Sequence, residues 1–155
     1  MKKYFLITAA LFMASFAYTQ SNKDEITLMQ AAFGMDKQSV VAEFVKPSPA
    51  EKDAFWKIYD EYELKRKELG KQRIALLEEY ADQYLTMSGV DAAAWTKKVI
   101  ALQKKTDDLI STYFAKVNKV SDGIVATQFY QIENYILAAI RAQILQKVPF
   151  LPNKN

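Results

Sequence analysis

From Ser48 to Thr86 the chain carries an apolar seam at alternating steps of four and three: Phe55, Tyr59, Tyr62, Arg66, Leu69, Arg73, Leu76 and Tyr80. That is the heptad spacing of coiled-coil-type helix packing. The segment opens with Ser48 as an N-cap. Pro49 follows at the first helical position, where its missing N–H costs nothing, and Glu51 completes a capping box. No proline follows until residue 149. Helical throughout, Pro49 to Thr86 is 38 residues, or ~57 Å at 1.5 Å per residue. A compact globule of this chain's size is roughly 30–35 Å across. The pattern therefore predicts an elongated molecule, unless Gly70 kinks the helix.

Three further helical segments flank this one. Before it, around Asp24 to Phe44, Ile26, Met29, Ala32 and Phe33 form one apolar face and Val40, Val41, Phe44 and Val45 a second, with Gly34 between them. One or two short helices are expected there, ending before Pro47, because a residue preceding proline is pushed out of the helical region. After it, Met87-Ser88-Gly89 reads as a turn, with Ser88 or Asp91 capping a third helix. The seam of that helix is Trp95, Val99, Leu102, Thr106, Leu109, Tyr113 and Val117. A second cap-and-turn cluster, Val120-Ser121-Asp122-Gly123, opens a fourth helix running to about Gln146. It places Val125, Phe129, Ile132, Ile136 and Ile140 inward, and Pro149 and Pro152 stop it. No strand-like alternation is present. The expected fold is all-α: an elongated antiparallel bundle or hairpin of about four helices with one long central helix.

The first nineteen residues carry a different signal. Lys2 and Lys3 precede an apolar run from Tyr4 to Phe16, and Ala17-Tyr18-Thr19 supplies small residues for a peptidase site. The run is shorter than the ~20 residues of a membrane span, and polar residues follow at once. A cleaved signal peptide over 1–19 is therefore expected, with export to a periplasm. No membrane insertion is expected after cleavage. A single helical domain would cover 20–155, with 20–35 frayed at its start. Cleavage leaves 136 residues of the 155, enough for one core without a covalent staple. Cysteine is absent, so packing alone must hold the fold in an oxidising compartment. Losing Lys2 and Lys3 takes Lys+Arg from 21 to 19 against 18 acidic residues, a net of +1. So balanced a charge carries no footprint for nucleic acid.

Candidate chemistry is thin. The chain contains no histidine, which removes Glu-x-x-His di-iron sites, haem attachment, zinc hydrolase centres and Ser-His or Cys-His nucleophiles. Four glycines at 34, 70, 89 and 123 form no phosphate loop. Neither a metal nor a cofactor is implied, and no catalytic residue is assigned. An enzyme built on two carboxylates stays open in principle. Acidic runs such as Asp60-Glu61 and Glu78-Glu79 read instead as solvated faces with i,i+4 partners. Arg66 and Arg73 stand out, because a guanidinium in a helix seam requires an anionic partner. Glu133 lies beside the inward Ile132 and Ile136, and is expected to pair with Arg73 or Arg66 across the second and fourth helices. Arg66, Arg73 and Glu133 would form a structural polar cluster that sets register. The chain also has nine Tyr, nine Phe and two Trp. A thin bundle cannot bury them all, so Trp56, Tyr84, Phe114 and Tyr130 are candidates for a partly exposed binding or dimer face.

Two hydroxyl-capped helix starts, Pro47-Ser48-Pro49-Ala50-Glu51 and Val120-Ser121-Asp122-Gly123-Ile124, and the order of long helix, second helix and second cap resemble the periplasmic Spy/CpxP-like proteins, the LTxxQ family. Both stretches depart from the Leu-Thr-x-x-Gln pattern. Leucine becomes proline or valine, and glutamine becomes glutamate or isoleucine. The chain is closer to uncharacterised exported bacterial proteins with a Phe-Trp-x-x-Tyr-Asp-Glu-Tyr block, here residues 55–62, and a Phe-Tyr-Gln-Ile-Glu-Asn block, here 129–134. The likeness spans roughly residues 36–150 and brings no catalytic residues. It implies a small exported helical protein, a homodimer, and ATP-independent chaperone activity on unfolded protein or peptide clients. The competing expectation is a structural or sensory accessory protein of the cell envelope, with its aromatics consumed by core and dimer contacts.

Overall fold

A computed structural model of the chain describes residues 36–152. The expected signal peptide and the apolar face at residues 26–33 lie outside them. Four helices follow one another: α1 Lys37–Phe44, α2 Lys52–Gln83, α3 Gly89–Val120 and α4 Gly123–Leu145. Among the described residues there is no strand. The fold is the all-α antiparallel bundle that the heptad pattern predicts.

Each boundary has a local cause. Asp36 caps α1, its carboxylate accepting from the Ser39 amide at 3.0 Å and the Ser39 hydroxyl at 2.7 Å. Regular α2 begins three residues later than the capping pattern suggests. The Ser48 carbonyl accepts from the amides of Glu51 and Lys52, so Pro49 and Ala50 form a turn ahead of the helix. Glu51 still reaches back to the Ser48 amide at 2.8 Å, and its other oxygen accepts from the Asp122 amide at 3.0 Å. One carboxylate thus joins the starts of α2 and α4. Ser88 and Asp91 form the reciprocal capping box of α3, and Asp122 caps α4 through the Val125 amide at 2.9 Å.

Gly70 does not break α2, which runs uninterrupted for 32 residues and is matched by α3 at the same length. Each is ~48 Å long at 1.5 Å per residue, so the molecule is elongated as expected, around a pair of long helices. α2 packs on α3, α3 on α4, and α1 on α4. The core sits at one end. It joins Phe55, Tyr59 and Tyr62 of α2, Ile110, Tyr113 and Val117 of α3, and Val125, Phe129, Ile132 and Ile136 of α4, with Val40, Val41 and Val45 closing it. Tyr62 and Tyr59 meet the Phe129 ring edge-on at 5.2 and 6.4 Å. At the Leu109 step of the third seam it is the neighbouring Ile110 that is fully buried, and Leu109 only partly so. The other end is held by polar ties, among them a Lys98–Glu79 ion pair at 2.7 Å. Trp95 Nε1 donates to the Leu76 carbonyl at 2.9 Å, and the Tyr80 hydroxyl donates to the Pro149 carbonyl at 2.7 Å.

Phe129 is fully buried at the junction of α2, α3 and α4. Phe129→Ala is expected to destabilise the protein by about 3–5 kcal/mol in urea unfolding. The Tyr113 hydroxyl is buried and meets no hydrogen-bond partner among the described residues. Tyr113→Phe should therefore be neutral or mildly stabilising in the same measurement, since it removes a desolvated polar atom and keeps the ring.

Candidate functional site

Two features stand apart from ordinary packing: a buried charge cluster and an apolar groove. The cluster is centred on Glu133, whose side chain is 0 % exposed. Lys37 of α1 brings its ammonium to 2.7 and 2.8 Å from the two Glu133 oxygens. It also donates to the Tyr59 hydroxyl at 3.1 Å and to Glu63. Tyr62 donates to Glu133 at 2.7 Å. Arg66 closes on Glu63, with Nε at 2.7 Å and a terminal nitrogen at 3.1 Å. Two cations and two anions balance, as buried charges require. Lys37 retains only 9 % exposure, which a lysine tolerates only when paired. Its ammonium also lies 5.2 Å from the ring centroids of both Tyr59 and Tyr62.

The electrostatics follow from this closure. Burial acts to raise the Glu63 carboxyl, but Lys37 and Arg66 outweigh it and hold the group at about 2 against an ordinary 4.5. Burial, and then the nearby Glu133 and Glu63 charges, push both the Tyr59 and Tyr62 phenols far above their usual range. Both phenols stay neutral and serve as fixed hydrogen-bonding groups. The cluster ties α1, α2 and α4 together.

Arg66 and Glu133 share the cluster through partners other than the expected ones: Arg66 takes Glu63 of its own helix, and Glu133 takes Tyr62 and Lys37, a cation outside the expected set. A signal for Lys37 exists in the sequence. Lys37 lies three and four residues before Val40 and Val41, on the same face of α1. Arg73 is a correction. Helix register places it level with Gln103 of α3, to which it donates at 3.4 Å, and with Arg141 of α4, which donates to the same oxygen at 2.5 Å. Residue 141 is eight positions beyond Glu133, or about 12 Å along the helix.

The four aromatic candidates do not form one face. Phe114 and Tyr130 meet at 6.1 Å, edge to face, and Tyr130 is exposed. Trp56 packs against Phe55 and Tyr59 at 5.0 and 5.3 Å. Tyr84 stacks on Tyr80 at 5.9 Å, about 42 Å along α2 from Trp56 by helical rise. Steps of three and four keep residues on one side of a helix, but not at one level.

The groove lies beyond the cluster, between α2, α3 and α4, and encloses about 690 Å³. Its lining divides in two. Towards the far end it is apolar: Leu76 and Leu77 of α2, Trp95, Val99, Ile100 and Leu102 of α3, and Ile144, Leu145 and Val148. Towards the cluster it is charged or polar: Arg73, Gln103, Lys104, Asp107, Asp108 and Arg141. Ile100 and Leu145 are each 62 % exposed at its lips. Sequence reasoning missed this groove, because its lining is shared among three helices and each contributes only a few residues. Among the described residues no helix is long and apolar enough to cross a membrane.

Lys37→Met should remove the cation that α1 supplies to Glu133 and cost about 3–5 kcal/mol in urea unfolding. The double change K37M/E133Q is expected to recover part of that loss. Because the Glu63 carboxyl is held below its ordinary value, its contribution is complete above pH 4.5 and disappears as pH falls towards 2. On the order of 3 kcal/mol is at stake. Glu63→Gln should flatten the pH dependence of stability across that window.

No family model matches the chain, and neither a curated protein nor a solved structure matches it significantly.

Proposed function

We propose that this is an exported, non-enzymatic helical protein that binds segments of other proteins, in the manner of an ATP-independent periplasmic chaperone. The observation that carries the reading is the groove: an apolar trough of about 690 Å³ with exposed isoleucine and leucine lips and charges at one end. Contiguous apolar surface that a fold leaves open marks a place where apolar groups of a partner are received. The buried cluster offers no comparable opening. Its charges are mutually satisfied, and its role is alignment. Export rests on the basic start and apolar run of residues 1–16. Likeness to the Spy/CpxP-like proteins points the same way, as analogy of fold and address.

The test is light scattering from a denatured client diluted with and without the mature protein. Suppression of aggregation at a few-fold molar excess is expected. Ile100→Glu with Leu145→Glu should abolish it while leaving the circular dichroism melt within a few degrees, since both positions are exposed. No protection at several-fold excess would sink the chaperone reading in favour of a structural or sensory envelope protein.

A further inference from the structure

We infer that the groove selects one class of segment: an amphipathic helix whose apolar stripe ends at a carboxylate side chain. This rests on the protein-binding reading above and specifies what the groove would accept. Both the shape of the occupant and its charge are constrained.

The occupant must satisfy its own backbone. Apart from Val148 the groove walls are helices, and along them, short of the last turn of α4, the amides and carbonyls are paired within each helix. An extended peptide laid against them would find no ladder to join, and each buried amide would go unpaired. A helix brings its own hydrogen bonds and presents only side chains. From Trp95 to Asp108 the groove runs thirteen residues of α3, ~20 Å, or close to four turns. Helices pack with axes 8–10 Å apart, so a guest helix lying between α3 and α4 rests on the Ile100 and Leu145 lips. A single alkyl chain sunk in the trough would leave both lips in water.

The charged end lacks one anion. Arg73 and Arg141 converge on a single neutral oxygen, that of Gln103. The Gln103 amide nitrogen in turn donates to Asp107 at 2.7 Å. Lys104 and Asp108 pair with each other at 3.1 Å. Two guanidiniums and the Asp107 carboxylate remain, a local excess of one positive charge. Burial, followed by the proximity of Arg141, lowers the Arg73 pKa, with Asp107 opposing. The geometry itself sets the two cations side by side, since both guanidiniums donate to one oxygen. A guest carboxylate beside Gln103 would accept from both arginines in the planar geometry guanidinium favours. Because every apolar lining residue lies on the far side of Gln103, the acid must sit at one end of the apolar stripe.

The experiment uses three fluorescein-labelled helical peptides of about 16 residues, long enough to form helix on a surface. One carries a leucine stripe ending in Glu, one the same stripe ending in Gln, and one the Glu peptide with its stripe scrambled. Anisotropy titrations are made with the full mature chain and with its R73Q/R141Q variant, each verified as folded by its melt. The expected result is saturable binding of the Glu peptide, about tenfold or more tighter than the Gln peptide. That preference should vanish in R73Q/R141Q and shrink with added salt, while the scrambled peptide fails to bind. Equal binding of the Glu and Gln peptides would overturn the selection by charge and leave the protein-binding reading standing. If no peptide binds while client aggregation is still suppressed, the groove is not the site and the inference falls alone. If neither is observed, both fall. Arginine-dependent binding of laurate with no peptide binding would also overturn it, assigning the groove to a small anionic amphiphile.

Discussion

The Lys37–Glu133 pair is the constraint on which the arrangement of this molecule rests. Glu133 has no contact with water, so its charge is tolerable only with a cation and hydrogen-bond donors in place. Lys37 and Tyr62 come to it from two other helices. Each residue of shift along α1 would turn Lys37 by about 100° and move it 1.5 Å, enough to strand the carboxylate. A penalty of that kind excludes neighbouring registers that valine packing alone would allow. With Lys37 fixed, Val40, Val41 and Val45 fall over the core. The chain then leaves towards Pro47 with the Lys46 amide donating to Gln128 at 3.0 Å.

The same constraint explains why the space between the three long helices is filled at one end and open at the other. α1 is only eight residues long, and its anchor lies at the level of Tyr59 and Tyr62. There the three long helices also carry their largest inward side chains, Phe55, Tyr59, Tyr62, Tyr113 and Phe129, and the space fills. Further along α2 the seam passes to Leu69, Arg73 and Leu76, which are half-buried. Those smaller or charged groups hold α3 and α4 without filling the space between them. Tyr80 and Trp95 close the far end through hydrogen bonds to backbone carbonyls. The groove is thus the gap between two aromatic groups, the core cluster at one end and Tyr80 with Trp95 at the other.

Much of this was legible because one-dimensional signals govern helices. The heptad steps identified α2 and α3, and the Ser88 or Asp91 cap and the turn cluster at 120–123 marked the starts of α3 and α4. Arg66 and Glu133 were recognisable as polar groups on apolar faces. The partner of a buried charge is a different matter, since it depends on the levels at which separate helices meet. Arg66 and Arg73 are equivalent by periodicity, yet one turns to Glu63 beside the core and the other to Gln103 in the groove. Lys37 sits on an eight-residue helix, where periodicity has little length in which to appear. The aromatic candidates failed to converge for the related reason that a helical stripe fixes direction and leaves axial position free.

The two sequence blocks behind the family resemblance acquire a physical meaning from the fold. Phe55 to Tyr62 and Phe129 to Asn134 are two sides of one contact, in which Tyr59 and Tyr62 pack on Phe129 and Tyr62 donates to Glu133. The starts of α2 and α4 are likewise joined, through Glu51 and the Asp122 amide, although a carboxylate, Asp122, and not the Ser121 hydroxyl caps α4. What the resemblance captures is therefore a way of locking helices together at the closed end. The groove draws on none of those residues. Its apolar wall and its two arginines lie at 73–77, 95–108 and 141–148. Those three stretches can vary without disturbing the core. Under the protein-binding role proposed above, specificity for a partner belongs to those three stretches rather than to the packed end.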